Sequence, residues 1–520
     1  MPNPVLIVGA GPTGLMAALE LARRGIAVRL IEKATGPATT SRAIGVQART
    51  LELLDQRGLA EPLIERGLPT RYGNFYGEGK PLFRLDFAHV QSRFPYILFV
   101  TQVETENLLR EVIAAHGAAV EWGTEMIALA QGSPTRAGDL PTAVLRHADG
   151  SLEELRPPWI ISAEGAHSLV RRTLDLPFEG KPIAKQFALG DVQVDGGLEP
   201  GELYIFSSGA GFLGMFPLGG GRFRLIASDV PRTGVAPTLP ELQEVFDRRA
   251  HLPGRMHDLV WSSWFRINSR MVSRLRVGRL LLGGDSAHIH SPAGAQGMNT
   301  GLQDMINLGW KLARVIHGAA PESLIDSYEA ERLPVIREVL FGTEKLTDGM
   351  ASTNPVRRGL IDHVSPWLGS RDFVQERATA RMSQVAIGYR ESPLTEGGTN
   401  HGSLRAGDRL PDVALEHRAG DGWRPARAQD LLDPSAFTVL FTSQDEASEA
   451  GPFHRAAAVR PAAEYQAAFR QLFGATPQAV LVRPDGYVAL ICPAEAAGAR
   501  LKAYAEAHLG AAPTGAAQLA

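Results

Sequence analysis

Three short stretches carry residues whose types and spacing suit the binding of a large anionic ligand. The first is Gly9-Ala10-Gly11-Pro12-Thr13-Gly14, a G-x-G-x-x-G run directly after the apolar residues Val5–Val8. In such a run the first glycine permits a tight turn. The second lets the backbone approach a pyrophosphate, and the third lets a helix pack on a strand. The helix that follows offers unpaired N–H groups and partial positive charge to phosphates. Glu32 ends a second apolar run 23 residues after Gly9, where a carboxylate suits a ribose diol. The second stretch is Ala163-Glu164-Gly165-Ala166-His167-Ser168-Leu169-Val170-Arg171, after the apolar Trp159–Ile161. The third is Gly284-Asp285, after Leu280–Leu282, and it runs through Pro292-Ala293-Gly294 to a helix beginning at Met298 or Asn299. Each sets glycine and either an acid or a helix N-terminus at the carboxyl end of an apolar strand, the edge where parallel sheets bind ligands. One such junction reads as an ordinary turn. Three favour a dinucleotide threaded through the domain. Asp285 is suited to a ribitol or ribose hydroxyl. The positive end of the helix at Met298 suits an anion such as the N1/C2-carbonyl edge of a reduced isoalloxazine.

These junctions need a sheet to hold them. Val5–Val8, a helix from Leu15 to Arg24 and Ala27–Ile31 predict a strand–helix–strand unit. Thr101 predicts an N-cap, with Glu104 three residues on as in a capping box. Residues 70–100 change to aromatic residues with interleaved polar ones, and residues 178–270 alternate over short runs with Gly-rich turns. Both read as strands of another sheet. Helices are predicted from Thr238 to Ala250, from Met298 to about Gly318, and over 321–346. From about residue 404 a separate α/β pattern begins, with strands at Phe437–Phe441, Ala479–Val482 and Val488–Ile491.

Composition narrows the class. The 520 residues are 44% hydrophobic and 21% charged, as in ordinary globular proteins. The net charge of −3 argues against a broad nucleic-acid surface. A single cysteine, Cys492, allows no intrachain disulfide and no Cys-based zinc site. No basic start precedes an apolar core, and no run approaches about 18 apolar residues, so the expectation is a soluble cytoplasmic protein with no membrane partner and no metal.

The three stretches, taken together, resemble the fingerprints of the single-component FAD-dependent aromatic hydroxylases, the para-hydroxybenzoate hydroxylase-like flavoprotein monooxygenases. The third is the most specific: Gly284-Asp285-Ser286-Ala287-His288 through Gly294-Ala295-Gln296-Gly297-Met298-Asn299 to Gln303-Asp304. Ser41-Arg42-Ala43 through Leu54, Gln102-Val103-Glu104 through Leu109, and Tyr328-Glu329-Ala330-Glu331-Arg332-Leu333-Pro334 also match. The tail, with Gly407-Asp408-Arg409-Leu410-Pro411 and Arg483-Pro484-Asp485-Gly486-Tyr487, resembles the thioredoxin-like domain of the phenol and polyketide hydroxylase branch.

The resemblance implies an α/β fold: a Rossmann-like FAD-binding domain (1–70, 101–177 and 271–390) interleaved with a β-sheet substrate domain (71–100 and 178–270). A thioredoxin-like domain spans 404–515. Cys492 has no partner there, which favours a packing role over redox chemistry. The implied reaction uses NADPH or NADH and O2 and hydroxylates a phenolic or polycyclic aromatic through a flavin C4a-hydroperoxide. The alternatives are Baeyer–Villiger oxidation, epoxidation, or non-catalytic binding of an aromatic. The implied FAD contacts are Gly9, Gly11, Pro12, Thr13 and Gly14 at the pyrophosphate and Glu32 at the adenosine ribose. Arg42 and Gln102 serve the phosphate and ribityl region, and Met126 meets adenine through its backbone. Asp285 serves ribityl or phosphate groups, and Gly297, Met298 and Asn299 the pyrimidine edge. Phe206, Phe216, Pro217, Trp264, Phe265, Pro292, Ala293 and Gly294 are candidates for the substrate pocket. No catalytic base stands out, and His288 and His290 read as structural or capping residues. By the same analogy the chain is a monomer or homodimer. One departure stands out: the family has Gly-Ala-Asp-Gly where this chain has Ser162-Ala163-Glu164-Gly165.

Overall fold

Val5–Val8 lies inside a six-stranded sheet in the computed structural model, which describes residues 3–40, 43–132, 140–291, 294–350, 367, 369, 371–397, 402–420, 422–443 and 450–510. The strand order is Arg276–Val277, Leu280–Leu282, Ile160–Ser162, Val5–Val8, Val28–Glu32, Val120–Trp122. All neighbours are parallel except the first pair. Every residue of Val5–Val8 is buried, as a strand covered on both faces must be. The helix after it runs Pro12–Ala22, three residues earlier than the apolar pattern suggested. Proline fits the first helical turn because no N–H is needed there.

A second, eight-stranded sheet runs His288–Ile289, Arg255–Met271, Glu179–Asp195, Arg222–Ser228, Gly211–Gly219, Leu203–Ser208, Tyr72–Gly77, Lys80–Asp86. Two of its strands thus come from the aromatic segment near residue 80, and one edge strand comes from the third junction. Ile97–Phe99 does not join it; it pairs with Gly45–Val46 and Leu68–Thr70 in a small three-stranded sheet. Thr101 caps its helix by accepting from the Glu104 N–H at 3.3 Å. The return bond of a capping box is made at Thr238 and Glu241 instead.

The tail forms a six-stranded sheet, Gly422–Arg427, Ala414–Ala419, Arg455–Pro461, Thr438–Phe441, Gln478–Val482, Val488–Pro493. Cys492 is buried there. The tail is fastened through a buried charge cluster. The Glu331 carboxylate accepts from Lys311 Nζ at 2.7 Å, Asn307 Nδ2 at 2.6 Å, Ser392 Oγ at 2.5 Å and Arg483 Nη2 at 2.9 Å. Arg483 also holds Asp485, and the Asp485 backbone oxygen accepts from Arg49 Nη2 at 2.7 Å. Burial alone would raise the Glu331 carboxyl, but Arg483 and Lys311 outweigh it and hold it far below its usual range. Burial pushes the Lys311 ammonium down to about 8, against the pull of Glu331. Among the described residues no helix is long and apolar enough to cross a membrane.

Glu331→Gln leaves the cluster's buried cations undercompensated, so urea unfolding should show a loss of about 3–5 kcal/mol. A loss of no more than about 0.5 kcal/mol, the range of a surface change, would mean the cluster does not fasten the tail.

Candidate functional site

Val8, Ser162 and Leu282 stand side by side, in register, at the carboxyl ends of three neighbouring parallel strands. The three stretches that follow them therefore open onto one edge of the sheet.

The first turn is built by close approach. Gly9 has φ +101°, and a Cβ on it would lie 2.3 Å from the Ala163 carbonyl oxygen. A Cβ on Gly14 would lie 1.8 Å from the Gly9 oxygen. Gly11 differs, since a Cβ there meets nothing within 4 Å. Its open face adjoins a helix that starts with no side-chain cap and no acid in its first turn. Those N–H groups are the kind an anion satisfies. Thr13 fills the gap between the third junction and the helix Gly297–Ile316: Cβ atoms on Gly284 and Gly301 would lie 2.3 and 2.5 Å from its Oγ1. Glu32 accepts from the Ala10 N–H at 2.9 Å and the Ala34 N–H at 3.0 Å, which pins its carboxylate beside the turn.

The third junction hangs on Asp304, fully buried in the helix Gly297–Ile316. Its Oδ2 accepts from the Gly284 N–H at 3.1 Å and bonds His288 Nε2 at 2.7 Å, and its Oδ1 accepts from Arg332 Nε at 2.8 Å. Arg332 also donates to Tyr389 Oη and the Thr300 carbonyl. Tyr328 Oη donates to the Leu282 carbonyl at 2.8 Å. Burial would raise the Asp304 carboxyl, but Arg332 and His288 outweigh it and hold it below 3.8. Asp285 itself is exposed, on the turn that Asp304 fixes. Arg171 links the second junction to the third, donating to the Ser286 carbonyl at 3.0 Å and the Ala166 carbonyl at 2.6 Å.

The helix beginning at Gly297 also has no side-chain cap and no acid in its first turn. Asn299 is fully buried and works inward. It donates to the Gly45 and Ala295 carbonyls, both at 2.8 Å, and accepts from the Gln47 N–H at 2.9 Å. Gln47 Nε2 donates to the Gly294 carbonyl at 2.8 Å. Residues 45–47 are thereby clamped to the loop at 294–299. His290 Nδ1 donates to the Ser291 carbonyl at 2.9 Å, and burial pushes this imidazole down to about 4.

Not every candidate residue converges here. Arg42, Pro292 and Ala293 lie outside the described residues. Gln102 donates to Glu106 within its own helix. Met126 buries its side chain with Leu6, Val8 and Ile31, and its strand pairs opposite Leu145. The aromatic candidates divide between two faces of the eight-stranded sheet. Phe216 and Phe265 pack on the side of the dinucleotide-type core, and Phe216 lies 6.0 Å from Phe99. Trp261 shares that face, with Nε1 donating to Asp191 Oδ2 at 2.7 Å, and Arg224 pairs with the same carboxylate. Phe206 and Trp264 lie on the other face, against the helix Leu239–Ala250, and Pro217 sits opposite Phe223 of that same face. Strand register puts those three on the helix side of the sheet, opposite the face of Phe216 and Phe265.

Sequence reasoning quoted Asp304, Arg332 and Gln47 inside matching stretches but gave them no task. A signal was available: Asn299, Gln303, Asn307 and Lys311 recur every fourth residue, with Asp304 beside them, along a mostly apolar helix that the structure shows to be buried. Such a polar stripe requires partners.

Residues 3–343 match the family of FAD binding domains, and residues 403–512 match the family described as aromatic-ring hydroxylase, C-terminal. The chain is 37% identical over 511 residues to 6-methylpretetramide 4-monooxygenase of Streptomyces rimosus, covering 93% of this chain and 90% of the relative. It is 33% identical over 456 residues to pentachlorophenol 4-monooxygenase of Sphingobium chlorophenolicum, covering 86% and 81%. Among solved structures, an anhydrotetracycline hydroxylase from Streptomyces rimosus superposes with a TM-score of 0.78 at 31% identity, covering 98% of this chain and 100% of the other. An aromatic hydroxylase from angucycline biosynthesis does so with a TM-score of 0.77 at 31% identity, covering 98% and 100%.

Asp304→Asn keeps the shape but strands Arg332, and should cost about 3–5 kcal/mol in urea unfolding at neutral pH. The folded Asp304 pKa lies below its ordinary 3.8, so its contribution is complete at neutral pH and lost as pH falls through the folded value. The variant should therefore show a weaker acid dependence than the wild type. Equal acid profiles would refute the assignment.

Proposed function

The chain belongs to the FAD-binding aromatic-ring hydroxylases and is a flavin-dependent aromatic monooxygenase, and on that premise we propose which residues serve each half of the reaction and what size of substrate they take. FAD, when bound, takes reducing equivalents from NADPH or NADH and activates O2 for insertion into an electron-rich ring. Gly9, Gly11, Pro12, Thr13 and Gly14 hold the pyrophosphate, and the open face at Gly11 supports this. Glu32 reaches the adenosine ribose from its seat beside Ala10. Arg42, Gln102 and the Met126 backbone complete that half. Asp285 and the N–H groups of Gly297, Met298 and Asn299 take the ribityl and pyrimidine end, where the helix terminus favours negative charge.

The observation that carries the reading is the course of residues 284–289. This one segment leaves the ligand edge of the parallel sheet, and its His288–Ile289 pairs with Arg270 and Met271 at the edge of the eight-stranded sheet. Cofactor cleft and aromatic face are therefore adjacent. Phe216, Phe265 and Trp261 on that face, with the loop at Pro292, Ala293 and Gly294, line the substrate side. Their apolar rings orient an aromatic and keep water from the reacting edge. Buried Asp191 and Arg224 put one ion pair within this wall. The 6-methylpretetramide and anhydrotetracycline in the names of relatives support a polycyclic phenol over a single-ring one. The relative named for pentachlorophenol is the competing case. We further propose a cytoplasmic monomer or homodimer; the single cysteine suits a reducing compartment.

Purified yellow protein should oxidise NADPH or NADH in the presence of tetracyclic phenols and give a product carrying one added oxygen. Mass and regiochemistry identify hydroxylation against ring-oxygen insertion. Higher kcat/KM on simple phenols than on tetracyclic ones would sink the substrate assignment.

Gly11→Ala should leave the apoprotein fold intact, with a Tm within about 2 °C of wild type, but weaken FAD binding at least roughly tenfold, one lost interaction of about 1.4 kcal/mol. Gly14→Ala, which drives a methyl into the Gly9 carbonyl, should lower Tm as well. Unchanged flavin affinity in Gly11→Ala would place the pyrophosphate elsewhere.

A further inference from the structure

We infer that Ser162 and Glu164 form one positioning unit, which commits the carboxylate of the second junction to its own loop and holds that loop against the other two. This rests on the reading of the cleft as the FAD site. The Glu164 carboxylate takes four donors. Ser162 Oγ and Ser168 Oγ each donate at 2.7 Å, the Leu169 N–H at 3.0 Å and the Val170 N–H at 3.2 Å. Both serines are fully buried. Ser168 Oγ also accepts from the Arg171 N–H at 3.1 Å. Charge-assisted bonds of this kind are among the stronger ones a loop can make.

Two departures from the family pattern thereby become one. Where the family has Gly-Ala-Asp-Gly, this chain has both a hydroxyl at position 162 and one more methylene at position 164. Ser162 ends its strand in register with Val8 and Leu282, so its hydroxyl stands in the row from which all three junctions start. An aspartate at 164 would be short by about 1.5 Å, one carbon–carbon bond. It could not hold Ser162 and the Val170 N–H at once. A glycine at 162 removes the donor that draws the longer side chain back.

The loop so fixed reaches both neighbours. Gly9 packs on the Ala163 oxygen and on the Glu164 Cα, which would lie 2.3 and 3.1 Å from a Cβ at Gly9. Arg171, whose backbone N–H is held by Ser168, donates its guanidinium to the Ser286 carbonyl beside Asp285. Glu164 touches neither reacting atoms nor, on this inference, either cofactor. It acts through Ala163 and Arg171, and sets the spacing of the first and third junctions.

The test is a double-mutant cycle in the full chain: Ser162→Gly, Glu164→Asp and the two together. Its readouts are FAD affinity of the apoprotein by flavin fluorescence and KM for the nicotinamide reductant. Glu164→Asp alone should weaken FAD roughly tenfold with KM unchanged, and the double variant should recover most of that loss, as coupled neighbours do. Additive effects on FAD affinity would overturn the unit. So would Glu164→Gln raising KM for the reductant while FAD affinity stays at the wild-type value, because the carboxylate would then meet the reductant directly. If Glu164→Asp fails to fold, the double variant decides: recovery supports the unit and failure overturns it. A wild-type protein that takes up no FAD would instead defeat the underlying assignment of the cleft.

Discussion

A buried carboxylate must be surrounded by donors, and Asp304 meets that demand with groups that also shape the site. Left alone in the interior its charge would cost several kcal/mol. Gly284, His288 and Arg332 compensate it. Because the Gly284 N–H is one of those partners, the turn that presents Asp285 is held by the electrostatics of the core and not by the loop's own preferences. Because Arg332 is another, the helix that begins at Asp326 is bound to the same point. The cleft thus inherits the rigidity of a satisfied buried ion cluster, which preorganises backbone N–H groups before any ligand arrives.

The same helix repeats the arrangement further along. Asn299 clamps residues 45–47 near its start, Asp304 holds the third junction one turn on, and Asn307 and Lys311 meet Glu331 two turns later. Glu331 meets Arg483 of the tail. A chain of buried polar contacts therefore runs from the helix terminus at the cleft to the C-terminal sheet. This gives the tail a physical task that needs no redox chemistry. Its Pro484-Asp485-Gly486 turn is the socket that sets the Asp485 carboxylate against Arg483 and a backbone oxygen against Arg49, while Cys492 is packed among apolar residues.

The junctions were legible in the sequence because their causes are local. A glycine that must adopt φ +101° or admit a neighbouring carbonyl declares itself within a few residues, as Gly9 and Gly14 do. The Asp304 and Glu331 clusters were not legible as tasks, since their partners lie 16 to 152 residues away and pairing is decided by packing. The two faces of the aromatic sheet were not legible for another reason. Trp264 and Phe265 are consecutive in one strand, so they cannot share a face, whichever face is wanted. Only strand register shows that Phe265 and Phe216 take the cleft side and Trp264, Pro217 and Phe206 the helix side.

Register also explains why the two sheets can cooperate. His288 serves both: its ring bonds Asp304, and its strand pairs with Met271 at the edge of the eight-stranded sheet. A displacement of the substrate sheet along that edge would pull on a ring held by a buried carboxylate. The cost of separating His288 from Asp304 resists it, since Asp304 would lose a hydrogen bond with no water to replace it. The orientation of the aromatic wall relative to the cofactor cleft is thus set by one short strand and one histidine–aspartate bond.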